Sequence, residues 1–411
     1  MNSQRKKSSY KTLQNSGKER NTNVVRQYVP VIMKLDSPEF KALFTPELVS
    51  LVSLFKEYGH ELRIAGGAVR DLLMKIEPKD LDFATTATPD QMKEMFNAEG
   101  IRMINTKGER HDWKLDANRR DLTINSMFLG LDGTVYDYFD GYKDLQARRV
   151  VFVGDASTRI REDYLRILRY FRFYGRIAEQ SDNHEENTLE AIRHNAAGLE
   201  IISGERIWTE LRKILEGRFA GELVKIMISL GLNSYIGLPA QPNIKEFDRV
   251  WSLNCPEKVH PMTLLAALLT NQEEVMKFHA RVKLSAYERD LTLFIVENRQ
   301  DKPCVKPLQP YQLLIVNSKG KTSDTREWVR EVLKYRGDFA LLKQFDQWIL
   351  PRFPINGNIL KENGVPGGKI LGPVMNALKH RWVENDFQLS SEELLKFLPE
   401  VLDEIGVKPK R

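Results

Sequence analysis

The stretch LRIAGGAVRDLLMKIEPKDLDFATT, residues 62–86, decides the fold. It reads as strand, glycine turn, helix, loop and strand. Leu62 to Ala65 is a short apolar run; Gly66 and Gly67 follow, and Ala68 to Met74 has helical spacing. Pro78 closes the loop before Asp80-Leu81-Asp82-Phe83-Ala84. On a strand, residues i and i+2 share a face, so Asp80 and Asp82 converge while Leu81 and Phe83 turn to the core. Two carboxylates so close call for a cation, and hard oxygen donors suit Mg2+. The Gly66-Gly67 turn opens a helix N-terminus, where free backbone N–H groups favour phosphate. A phosphate cradle beside metal-binding aspartates is the layout of a nucleotidyl-transfer site. Taken singly, a GG turn is usually a plain loop and a D-x-D usually a solvated strand edge. Their conjunction, with Arg70-Asp71 behind the glycines, carries the reading.

Composition bounds the rest. At 411 residues the chain is long enough for two to four domains, and its net charge of +6 suits a polyanionic partner without requiring one. No apolar run approaches a membrane span. Cys255 and Cys304 have no paired spacing, which argues against a disulfide framework or zinc site and fits a reducing compartment.

Residues 1–34 hold eight Lys or Arg, four Ser and one acid, Glu19. That is the composition of a mitochondrial transit segment or a basic arm. Met33 would serve as a downstream start for a cytosolic form. Thr45-Pro46-Glu47 and Thr88-Pro89-Asp90 are helix starts, stopping near Gly59 and Gly100. Ile101–Ile104 reads as a strand, Arg119-Arg120-Asp121 as the opening of a helix through Ile124 and Met127, Asp132-Gly133 as a hairpin turn and Arg149–Val153 as a last strand. From Ser157 onward the periodicity is helical. The expected organisation is a leader (1–34), an α/β head (35–154), a helical neck (155–220) and a helical body and tail (221–411), an α+β architecture.

GGAVRD followed by KDLDFAT resembles the signature of class II tRNA nucleotidyltransferases, the CCA-adding enzymes, of vertebrate mitochondrial type, and of the related bacterial poly(A) polymerases. RRDLTINSM (119–127) and REDYLRILR (161–169) extend the likeness. The resemblance implies a polymerase-beta-like head on a helical neck, body and tail. It implies catalytic and metal-holding roles for Asp80 and Asp82, with Gly66, Gly67 and Arg70 beside the triphosphate. Arg119, Arg120 and Asp121 are then assigned to ribose and triphosphate. Asp163 and Arg166 become an amino-acid template: a carboxylate accepts the amino group shared by cytosine and adenine, and a guanidinium donates to the ring nitrogen. Guanine and uracil, with the reverse pattern, would be left unpaired. With helical spacing, Asp163 and Arg166 share one face. Arg169 joins the nucleotide set, and Arg172 and Arg176 are read as RNA-facing, whereas Tyr170, Phe171, Phe173 and Tyr174 read as core. Ser203-Gly204-Glu205-Arg206-Ile207, then Glu210-Leu211 and Lys213, resembles the next neck motif, a structural one, with Ser203 capping its helix and the polar side bracing the template helix. The implied partners are CTP, ATP and the tRNA 3′ acceptor end, in the mitochondrion with a cytoplasmic or nuclear pool.

Two features stand apart. Gly364–Ile370 imitates a phosphate loop but is one residue short, with Ile370 where Ser or Thr should hold the metal, and reads as a helix-start turn. At His111-Asp112 the join is abrupt: in the family tens of residues intervene there, including a sheet strand and, by superfamily analogy, a third acid near the metals. Asp112 and Asp116 are the nearest acids, and nothing in the spacing requires either. The chain therefore reads as internally shortened. Four readings stay open: CCA addition, poly(A) synthesis by the same chemistry, a catalytically impaired tRNA-binding form, and a shortened head that does not fold and leaves a helical body without function.

Overall fold

The computed structural model describes residues 31–102, 112–253, 255–300, 304–318 and 320–406. The head is built on five antiparallel strands: β1 (Val31–Lys34), β2 (Leu62–Ala65), β3 (Asp82–Thr85), β4 (Phe128–Gly130) and β5 (Thr134–Tyr136), in the order β1-β5-β4-β2-β3. The quoted stretch supplies β2, the helix Gly67–Leu73 and β3. The two strands are direct antiparallel neighbours, with Ala65 opposite Asp82 and Ile64 opposite Phe83. This register sets Asp82 beside the Gly66 turn. Leu81 and Phe83 pack half-buried against the core, as the alternation requires.

Helices start where the sequence marks them. Thr45 caps Pro46–Glu57, and Thr88 with Gln91 forms a capping box on Pro89–Ala98. Gly133, with φ 85°, turns the β4–β5 hairpin. Five expectations need correction. Val31–Lys34, placed with the leader, is β1 and pairs with β5. Asp80 lies just before β3, not within it. Arg119-Arg120 does not open a helix: Arg119 is the C-cap of Trp113–Asn118, and only a 3-10 turn, Thr123–Asn125, follows before β4. The run Arg149–Val153 contributes a single bridge, Leu122 to Phe152, in place of a strand. Of the strand expected at Ile101–Ile104, Ile101 and Arg102 are irregular and the remainder lies outside the described residues. Glu109 to His111, on the near side of the abrupt join, also lie outside them.

After the join, Asp112 accepts from the backbone N–H groups of Lys114 and Leu115 and so starts Trp113–Asn118. That helix lays Trp113 edge-on against Phe128, and Arg63 stacks between Trp113 and Tyr136 at 4.0 and 3.6 Å. One sheet face is thereby covered by an apolar lid, although Leu115 is left exposed.

Beyond residue 155 the described chain is helical. A continuous apolar core runs from head through neck and body, and a separate one, from Ile355 to Leu402, fills the tail. The Gly364–Ile370 run is a turn before the helix Leu371–Glu384, as its sequence suggested. No helix among the described residues is long and apolar enough to cross a membrane.

The neck helix Arg166–Ile177 buries Tyr170, Phe171, Phe173 and Tyr174. His184 stacks on Tyr174 with ring centroids 3.7 Å apart. Its Nε2 faces the Ser181 carbonyl at 3.2 Å and must donate, so Nδ1 accepts from the Tyr170 hydroxyl at 2.7 Å. Burial holds the imidazole below its ordinary pKa. The unfolded chain takes up a proton at His184 first as pH falls. The neutral ring's contribution is thus complete above about pH 6.5 and lost as pH drops through the depressed folded value. His184→Gln is expected to lower stability by about 1 kcal/mol at pH 7.5 and to flatten the fall in melting temperature between pH 7 and 5. Melts across that range check this; an unaltered slope would rule His184 out as its source.

Candidate nucleotide and RNA site

Head and neck enclose a cleft of about 1140 Å³. Of the residues singled out in the sequence, Gly66, Gly67, Arg70, Asp80, Asp82, Arg120, Asp121, Asp163, Arg166, Arg169, Arg172 and Arg176 all line it. Arg119 does not. Its side chain points largely to solvent and pairs with Asp116, while its carbonyl accepts from Arg166 at 2.7 Å.

At the head end, Gly66 adopts φ 68° and ψ −124°, a conformation that L side chains avoid. A Cβ there would come within 2.7 Å of the Arg120 guanidinium. The turn therefore favours glycine, and any side chain there would also have to displace the end of Arg120. Asp80 and Asp82 are exposed at the cleft wall, and neither carboxylate is engaged by a donor or cation among the described residues. Two free carboxylates are the hard donors a divalent ion takes, with phosphate and water to complete its shell. Among the described residues no cluster of three His, Cys, Asp or Glu could hold a metal. Asp116 does not supply the third acid. It is buried and clasped by Arg119 and Arg120; burial disfavours its charge, but the two guanidinium groups outweigh burial and hold the carboxyl below its usual range.

Several of the assigned side chains are paired within the chain. Arg70 is almost fully buried and donates through Nε and Nη2 to Asp71 Oδ1, at 2.9 and 2.8 Å, and through Nη1 to Asn125. Asp71 Oδ2 accepts from Arg176 at 2.9 Å. Asn125 Nδ2 donates to Asp121 Oδ1 at 3.3 Å, and Arg169 Nε donates to Asp121 Oδ2 at 2.6 Å. A relay thus runs from Arg176 through Asp71, Arg70, Asn125 and Asp121 to Arg169, leaving the neck helix and returning to it. Burial opposes charge at Asp121, yet Arg169 and the hydrogen bonds prevail and keep it ionised below its usual range. Arg172 is held by both oxygens of buried Glu210, at 2.8 and 2.9 Å. Glu210 stands in the neck motif whose polar side the sequence reading assigned to bracing the template helix, and it holds Arg172 on that helix; Asp71 had no assigned role, and its adjacency to Arg70 was the available signal.

The relay welds head to neck. Asp71→Ala would strand the buried Arg70 and is expected to cost about 3–5 kcal/mol, read as a lowered denaturation midpoint. A variant with parental stability would show that the relay carries no load.

The template pair is arranged differently from a shared helix face. Ala156–Glu162 ends at Asp163, which is extended, with φ −157°. Arg166 then begins the next helix. Asp163 Oδ1 accepts from the Leu165 backbone N–H at 3.1 Å, and Oδ2 from Arg206 at 2.7 Å. Arg166 donates to Glu162, to the Arg159 carbonyl and to the Arg119 carbonyl, at 2.6, 3.0 and 2.7 Å. The helix break aims both side chains into the cleft while fixing each from behind. Ser203 occupies the N-cap position of Gly204–Leu215, but its side chain makes no capping bond. The cleft-wall cations without an ion-pair partner among the described residues are the exposed Lys79, Lys213, Arg218 and Lys258, of which Arg218 donates to the Ala178 carbonyl and only Lys213 was singled out in the sequence, in the neck motif.

Known proteins share this fold. The model of the poly A polymerase head domain matches residues 62–113 and 102–151, two segments overlapping at the His111-Asp112 join. The probable RNA and SrmB-binding site of polymerase A matches residues 184–242. The chain is similar to a Bacillus stearothermophilus CCA-adding enzyme solved with CTP, at TM-score 0.68 and 24% identity over 90% of this chain and 99% of that one. A Thermotoga maritima CCA-adding enzyme complexed with tRNA gives TM-score 0.64 at 22% identity, over 91% of this chain and 99% of that one. These likenesses concern the fold. Sequence reaches further: CCA tRNA nucleotidyltransferase 1, mitochondrial, of Homo sapiens is 47% identical, spanning 91% of this chain and 94% of the relative. The Danio rerio protein of that name is also 47% identical, over 89% and 93%. At that identity and coverage, on a shared head and neck, the chain belongs to the CCA tRNA nucleotidyltransferase family.

Proposed function

We propose that this chain adds C, C and A in turn to the 3′ end of tRNA, drawing on CTP and ATP, in the mitochondrion. One observation carries the reading: a single cleft joins the two unpartnered carboxylates, Asp80 and Asp82, to the fixed Asp163 and Arg166. The first pair suits phosphoryl chemistry and the second suits a choice of base. Asp80 and Asp82 would hold Mg2+, which when bound makes the RNA 3′-hydroxyl more acidic and stabilises the departing pyrophosphate. The Gly66-Gly67 turn leaves room for phosphate close to the backbone, with the Arg120 guanidinium across it. Asp163 accepts the exocyclic amino group of cytosine or adenine, and the remaining Arg166 N–H groups donate to the ring nitrogen. Asp121 and Arg169, joined in the relay, set the neck helix against the head so that the two pairs stay in register. Lys79, Lys213 and Lys258 offer free charge to the RNA backbone.

The test is incorporation of labelled CTP and ATP, each alone and together, into a tRNA transcript lacking CCA. Two C residues followed by one A is the expected product. Runs of A without C would assign poly(A) synthesis. Absence of product from folded, tRNA-bound protein would mean that the shortened head binds without reacting.

A further inference from the structure

Beside the cleft lies a smaller recess of about 220 Å³. Glu216, Gly217 and Lys258 belong to the walls of both, so recess and cleft adjoin. The floor is apolar: Val250 and Leu264 are buried, and half-buried Trp251 and Leu253 form one side. The Trp251 indole is fixed. It packs on Gly221, where a Cβ would fall 2.3 Å from the ring, and its N–H donates to Glu222 at 3.4 Å.

The charges at the rim are unbalanced. Glu216 accepts from Arg212 at 3.0 Å, and Glu257 is paired with Arg330 and Lys334 at 2.7 and 3.1 Å. Lys258, at the junction with the cleft, has no ion-pair partner among the described residues. A flat group with apolar faces would be accepted inside, and an anion attached to it would meet a free ammonium at the mouth. A nucleobase on its phosphate has that form, and the recess is too small for a duplex.

We propose that the recess receives one unpaired base from the 3′ end of the RNA substrate, with Lys258 on its phosphate. This rests on the proposed function. The base would be parked beside the cleft, holding the strand while its end reacts.

Cys255 lines the recess half-buried and reports on its occupancy. In the full chain carrying Cys304→Ser, the alkylation rate of Cys255 by iodoacetamide is measured alone, with CTP and Mg2+, and with tRNA ending in two C residues. It is then measured with the same tRNA carrying an abasic ribose at each unpaired 3′ position in turn. Intact tRNA is expected to slow alkylation at least tenfold. CTP should have no effect, and one abasic position should restore the free rate although gel shift shows the RNA bound. Equal protection by every abasic RNA would reveal shielding by the bound RNA alone, and protection by CTP would give the recess to the incoming nucleotide; either result overturns the proposal. Extension of the tRNA in the same sample separates the two readings. Extension without protection removes the recess and leaves CCA addition standing, whereas RNA that is neither bound nor extended removes both.

Discussion

Asp80→Ala and Asp82→Ala each reduce nucleotide incorporation by roughly 10³-fold or more, while tRNA binding and melting temperature stay near parental values. The expectation follows from what these carboxylates lack. Both are exposed and unpartnered, so their removal leaves no buried charge stranded and no hydrogen bond broken within the chain. Asp71, Asp116 and Asp121 differ: each is buried and paired with arginine, and its loss is a folding defect before it is a chemical one. Activity measured beside a melting curve therefore separates the two classes of acid. If the two aspartates act as a unit, the double variant is little worse than either single one. Variants that still add nucleotides at parental rates, or fail only because tRNA no longer binds, would remove the metal assignment.

Asp163→Ala is expected to reduce kcat/KM for CTP and ATP by about 10²-fold or more while leaving GTP and UTP at their low basal level, so that discrimination collapses. The carboxylate accepts from the substrate amino group in the proposed reading, and no neighbouring group replaces it. Arg206 would then lose its partner 2.7 Å away, but it is half-exposed and water can solvate it, so the folding cost is small. Arg166→Ala should also lower CTP and ATP use, with an added loss of stability. Its guanidinium ties the Arg159 and Arg119 carbonyls together across the head–neck boundary. Retained preference for CTP and ATP in Asp163→Ala would place base selection elsewhere.

The sequence was most legible where local pattern and tertiary demand coincide. The run from Leu62 to Thr86 fixes strand, glycine turn, helix and strand because alternation, glycine and proline all act within a few residues. Even the facing of Leu81 and Phe83 follows from it. The capped helices at Thr45 and Thr88 are equally local. The pairing of the arginines was less legible. Arg70, Arg169, Arg172 and Arg176 look alike on paper; Arg70 meets Asp71 beside it on its own helix, whereas Arg169, Arg172 and Arg176 meet Asp121, Glu210 and Asp71 arriving from other elements. Periodicity carries no information about such partners. The break at Asp163 was hidden for the opposite reason: the residues on both sides favour helix, and the backbone leaves it only where the template pair is presented. Which of the cleft cations stay without an ion pair among the described residues, Lys79, Lys213, Arg218 and Lys258, was invisible because being unpartnered is a property of the folded surroundings. Residues 31–34 show the limit of composition, since a strand of four residues at the end of a basic segment becomes recognisable only through its pairing with Thr134–Tyr136.

The separate core of the tail has a consequence of another kind. Between body and tail lie mostly polar links: Lys306 to Asp386, Lys379 to the Val316 carbonyl, Gln309 to the Val383 carbonyl, and an aromatic pair of Trp348 and Phe387. Side chains at such a seam tolerate exchange, because water replaces a lost exposed contact at little cost. Substitutions inside the tail core then need compensation only from other tail residues, and those in the body only from the body. The two parts can drift at separate rates over generations. The tail can be reshaped without disturbing the joint between head and neck.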